Sequence, residues 1–116
     1  MRDSSSGGAL TETTFLILLA FCNPLHGYGV INFVKEKTLG RINLGAGTVY
    51  GAINNLLKKG WIKTVDSNGQ RNKTTYVITE NGYRILSTEL LRLQVICSIA
   101  EKILDDNRNS TGSAIR

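Results

Sequence analysis

The stretch Gly45–Gly82 constrains this chain more than any other. It runs Gly-Ala-Gly-Thr-Val-Tyr-Gly-Ala-Ile-Asn-Asn-Leu-Leu-Lys-Lys-Gly-Trp-Ile, then a polar turn, then Lys-Thr-Thr-Tyr-Val-Ile-Thr-Glu-Asn-Gly. Val49, Ile53, Leu56 and Leu57 recur at helical spacing, which predicts a helix over about Ala46 to Lys59. Lys58 and Lys59 suit its C-terminal dipole, and Gly60 is a ready left-handed stop. Trp61–Asp66 and Thr74–Thr79 are rich in β-branched and aromatic residues and read as two strands. Asn68-Gly69 marks the turn between them. A single helix followed by one hairpin allows a small sheet appended to helices, and nothing larger.

Charge is concentrated in the same half. Of 116 residues with a formal net charge of +5, the span Lys35–Lys73 holds Lys35, Lys37, Arg41, Lys58, Lys59, Lys63, Arg71 and Lys73 against Glu36 and Asp66, a net of +6, while the remainder nets −1. A basic block on one part of a fold fits a polyanionic partner. On a helical wheel, the face opposite Val49 and Ile53 carries Gly47, Gly51, Asn54, Asn55 and Lys58, flanked by Thr48 and Tyr50. Asn pairs bidentately with adenine, Lys reaches guanine or phosphate, and small residues permit close approach. In the hairpin, Arg71 and Lys73 have only polar neighbours, as a segment lying along a phosphate backbone requires. A basic hairpin directly after such a helix is the arrangement of a winged helix-turn-helix on DNA.

The flanking segments supply the rest of a core. Residues 1–9 are polar and read as a flexible lead-in. A first helix is expected from about Thr11 to Cys22, apolar all round and therefore central, ended by Asn23-Pro24. A second is expected from His26 or Gly27 to Lys37, with Thr38-Leu39-Gly40 as its stop and a short edge strand at Arg41–Leu44 after it. The last helix is expected from about Glu80 to Leu104. Along it Tyr83, Leu86, Leu90, Leu93, Cys97, Ala100 and Leu104 form a heptad-like seam, and Leu91, Val95, Ile99 and Ile103 a second row. Two apolar rows need more cover than one small domain supplies, so a helix from a second copy is expected there, with Leu86, Leu90, Leu93, Ile96, Cys97, Ala100 and Leu104 at the interface. From Asp105 the chain turns polar and reads as a disordered tail.

The order and spacing of these pieces resemble the PadR family of bacterial transcriptional regulators. The matching pieces are Leu25-His26-Gly27-Tyr28, Gly47-Thr48-Val49-Tyr50, Leu56 through Gly60-Trp61-Ile62, and Lys73 through Gly82, together covering about residues 10 to 104. The resemblance implies a mainly α winged helix-turn-helix with a small β-hairpin, spanning 10–82, and a C-terminal dimerisation helix over 83–104. It also implies a homodimer that represses from a palindromic operator on double-stranded DNA. Tyr50 matches the family tyrosine implied to touch DNA phosphate, whereas His26, Gly27 and Tyr28 match a motif that looks structural. The DNA-binding set is thus Thr48, Tyr50, Asn54, Asn55, Lys58, Arg71 and Lys73. Gly51, Gly29, Asn55 and Leu57 depart from the family's usual Pro, Glu, Arg and Glu. Some small members hold flat hydrophobic compounds between tryptophans; here the only Trp is Trp61, at the start of a strand, and the identity of any small-molecule effector stays open.

Other classes fit poorly. With a single His and no Cys-x-x-Cys pair, neither a metal site nor a nucleophile–base pair is visible, and no cofactor is implied. Cys22 and Cys97 read as free core thiols. The apolar run Phe15–Cys22 is far short of the roughly 20 residues that span a bilayer, and Asp3 and Glu12 beside Arg2 do not make a signal-peptide n-region, so a cytoplasmic protein is expected. A winged-helix module for a protein partner would use the same hairpin and last helix; the basic block and the amide-rich face favour DNA over it.

Overall fold

The computed structural model describes residues 8–66 and 73–111. The chain divides into two units, one ending at Leu86 and one beginning at Ser87. The first holds three helices, α1 (Glu12–Ala20), α2 (Gly27–Lys37) and α3 (Ala46–Lys59), the strands β1 (Leu25–His26), β2 (Ile62–Asp66) and β3 (Thr75–Ile78), and the start of α4 (Glu80–Thr111).

α1 starts at Thr11, whose hydroxyl accepts the Thr14 amide at 3.1 Å. It stops two residues sooner than expected, because Phe21 and Cys22 donate to Leu18 and Leu19 in a tightened last turn ahead of Pro24. Its all-round apolar character has the expected cause. Ile17, Leu18, Ala20 and the following Phe21 are buried, and Phe15, Leu16 and Leu19 pack partly against the same core. Leu10, Val30, Val34, Val49, Tyr50, Ile53, Leu56, Trp61, Ile62, Tyr76 and Leu86 complete that core. Leu86 is therefore a core residue at 5% exposure, not a member of a free seam. Both cysteines are free, as expected, but both are exposed rather than core residues.

His26 is the N-cap of α2, its Nδ1 accepting the Gly29 amide at 2.9 Å. At the end of α3, Gly60 is left-handed at φ 74°, and the amides of Gly60 and Trp61 donate to Leu57 and Leu56, closing the helix as a Schellman motif. Thr79 then caps α4, accepting the Gly82 amide at 3.1 Å while its own hydroxyl donates to the Gly60 carbonyl at 2.6 Å. Gly82 must be small, since a Cβ there would stand 2.2 Å from the Trp61 carbonyl oxygen.

The sheet has three antiparallel strands in the order β1-β3-β2. Its third strand is Leu25–His26, paired with Tyr76 and Thr75, and not Arg41–Leu44. The expected edge strand fails because its amides are used locally. Leu39 and Gly40 are left-handed at φ 53° and 82°, which folds the chain back so that Arg41 donates to the Thr38 carbonyl and Ile42 to the Thr38 hydroxyl. The β2–β3 ladder carries an irregularity between Thr64 and Asp66, with Val65 half-exposed beside it. The Asn68-Gly69 turn lies outside the described residues.

In the second unit α4 continues through Thr111, so the tail expected from Asp105 is helical for its first residues. Polar composition alone does not end a helix; after Gly82 the next Gly or Pro in the sequence is Gly112. Arg92 forks onto Glu89, with Nε donating to Oε1 at 3.0 Å, and Lys102 pairs with Asp106 at 3.5 Å. Leu90, Leu91, Val95, Ile96, Ile99, Ile103 and Leu104 are all exposed, and Leu93 is partly so. No helix among the described residues is long and apolar enough to cross a membrane.

Candidate nucleic-acid interface

α3 presents two faces of opposite chemistry. Val49, Tyr50, Ile53 and Leu56 are buried, which turns Gly47, Thr48, Gly51, Asn54, Asn55 and Lys58 outward, all exposed. The expected partition holds except at Tyr50. Leu57 is half-buried against the core. A Cβ at Gly47 or Gly51 would meet nothing within 4 Å, so the outer face is low and open where a groove edge would approach. Gly45 caps the helix without a side-chain acceptor, and no acidic residue lies in the first turn. The positive end of the helix dipole is therefore left uncompensated by side chains, as anion-binding helix starts are.

The described part of the basic block is largely unpaired. Lys35, Lys37, Lys58, Lys63 and Lys73 are exposed, and none is in an ion pair among the described residues. Lys59 lies over the Trp61 ring at 4.8 Å, and Lys37 reaches the Phe33 ring at 5.7 Å. Arg41 differs. It forms a two-pronged salt bridge with Glu12, which holds the Glu12 carboxyl below its ordinary range and raises the guanidinium's. Its charge is spent on joining the start of α1 to the turn before α3. Arg71 lies outside the described residues.

Tyr50 does not join Thr48, Asn54, Asn55 and Lys58 on the open face. It is 7% exposed and its ring runs under α2, where a Cβ on Gly27 would stand 2.6 Å from its Cζ. Tyr28 packs edge-to-face on it, ring centroids 6.2 Å apart, and is 49% exposed. Sequence reasoning assigned Tyr28 to structure; the signal available was its place off the Gly27, Val30, Val34 stripe of α2. An open depression of about 130 Å³ lies between Thr14, Ala52, Asn55, Leu56, Lys59 and Trp61. No group of His, Cys, Asp and Glu among the described residues could hold a metal ion.

Residues 15–88 match the transcriptional regulator PadR-like family. The chain belongs to that family. Its members are DNA-binding regulators and not enzymes. No curated protein matches it. Among solved structures, this PadR-like chain is similar to a PadR family transcription regulator from Clostridium difficile, at 23% identity and a TM-score of 0.68 over 81% of this chain and 99% of that one. A PadR family transcriptional regulator from Eggerthella lenta gives 24% identity and a TM-score of 0.66, over 78% of this chain and 80% of that one. A transcriptional regulator from Thermoplasma acidophilum gives 25% and 0.62, over 80% of this chain and 90% of that one.

Proposed function

We propose that this PadR-like regulator represses transcription as a homodimer on a palindromic operator in the cytoplasm. The observation that carries the reading is the outer face of α3, which is open, amide-bearing, basic at its end and free of acidic side chains. Thr48, Asn54 and Asn55 reach base edges in the major groove, while Lys58, Lys73 and the wing's Arg71 neutralise phosphates. The free apolar rows of α4 support pairing with a second copy, through Leu90, Leu93, Ile96, Cys97, Ala100 and Leu104. A two-fold dimer reads two half-sites, whose centres lie about 34 Å or a multiple apart.

Titration of the full chain with duplex DNA from upstream of its own gene tests this. Affinity falls steeply as salt rises, because each neutralised phosphate releases counterions. Binding that is absent, or indifferent to salt, overturns the reading; retention of one specific protein with no DNA favours a protein-interaction module instead. Replacing Arg71 and Lys73 together by Ala weakens binding to every sequence alike and lowers the salt slope by about 0.9 for each phosphate that is no longer neutralised.

A further inference from the structure

The tyrosine pair where α2 meets α3 is buried at Tyr50 and half open at Tyr28, whereas the family resemblance implies an outward-reaching Tyr50. Tyr50 sits between Thr48 and Gly51, both on the open face, yet its own side chain is turned inward and is 7% exposed. The space it fills exists because Gly27 has no side chain: a Cβ there would be 2.7 Å from the Tyr50 hydroxyl and 2.6 Å from Cζ. Tyr28 follows Gly27 directly and lies off the buried stripe of α2. Its ring rests edge-to-face on Tyr50 at 81°, so it is backed by a buried aromatic and half open to solvent. An exposed aromatic with a polar tip, fixed beside the first turns of the reading helix, is suited to a backbone contact flanking the groove. The neighbouring start of α3 carries neither a capping side chain nor an acid, so nothing in that turn repels a phosphate.

We infer that Tyr28 is the phosphate-contacting tyrosine of this regulator, its phenolic O–H donating to a DNA backbone oxygen, and that Tyr50 is a positioning residue that holds the Tyr28 ring. This rests on the DNA-binding reading above. The experiment compares the full chain with its Y28F, Y50F and K58A variants by fluorescence anisotropy. Each is titrated against an operator duplex and an unrelated duplex over a range of salt. Tyr28→Phe keeps the ring and the packing, so its thermal midpoint matches the parent. It binds both duplexes about tenfold more weakly per half-site, the expected loss of one hydrogen bond to a charged acceptor. Its log–log salt slope is unchanged because no charge is removed, whereas Lys58→Ala lowers the slope. Tyr50→Phe binds like the parent. Parent-like binding by Y28F, or a loss confined to Y50F, overturns the assignment. A parent chain that binds neither duplex overturns the DNA-binding reading itself, and the assignment with it.

Discussion

The unit up to Leu86 and the helix from Ser87 onward bury their apolar residues to opposite degrees. Among the described residues of the first, fifteen hydrophobic residues are buried, and the large exposed ones are scattered: Tyr28, Leu39, Val65 and Tyr83. In the second, Leu90, Leu91, Val95, Ile96, Ile99, Ile103 and Leu104 stand exposed along one helix. Fully burying a side chain of this kind stabilises by about 1.5–3 kcal/mol, so the buried set of the first unit realises this term while the exposed rows of α4 leave it unrealised. The contrast teaches where this regulator buries its apolar surface and where it leaves that surface open.

The sharpest way to break the comparison is at the exposed rows. Leu93→Lys with Ile96→Glu places charge where a second helix would pack. It should yield a monomer by light scattering and abolish operator binding, while leaving the compact unit folded by circular dichroism. A dimer that persists would move the interface elsewhere. Next comes the same substitution made in each region. Ile53→Ala empties a site at 1% exposure and should cost about 2–5 kcal/mol at any protein concentration. Ile99→Ala should cost less, and its thermal shift should depend on concentration, as linkage to assembly requires. Equal, concentration-independent losses would erase the distinction.

Gly27→Ala tests the packing of α2 on α3 inside the compact unit. The added methyl meets the Tyr50 ring, and overpacking of this kind costs about 1–3 kcal/mol. A parent-like denaturation midpoint would mean that Tyr50 moves freely. The smallest effect belongs to Glu12→Gln. Arg41 depresses the Glu12 pKa in the folded chain, so the pair stabilises above the ordinary carboxylate range and that contribution is lost as pH falls through the lowered folded value. Both groups are exposed, and surface pairs contribute little. The midpoint difference between parent and E12Q should therefore be small at neutral pH and vanish in acid; a gap that widens in acid would contradict the pairing.

Much of the compact unit was legible because its signals are local. Val49, Ile53 and Leu56 set the period of α3, Gly60 its end, and Thr11 and His26 the starts of α1 and α2. β1 was not legible, since a two-residue strand has no period and exists only through its pairing with Tyr76 and Thr75. The Arg41–Leu44 run looked like a strand until Thr38 took its amides. The open face of α3 was readable at Thr48, Asn54, Asn55 and Lys58, whose direction follows from spacing alone. Tyr50 lies at the edge of that wheel, and its direction was set by Gly27, far away in sequence.

The sequence by itself determined the helices, the hairpin, the basic half and the apolar rows of α4, because period, caps and charge act over a few residues. Only the tertiary structure decided that Leu86 closes the core, that Arg41 is tied to Glu12, and which of two neighbouring tyrosines faces outward. Those outcomes depend on which surfaces meet, and a glycine that lets two helices approach carries no sign of it in its own neighbourhood.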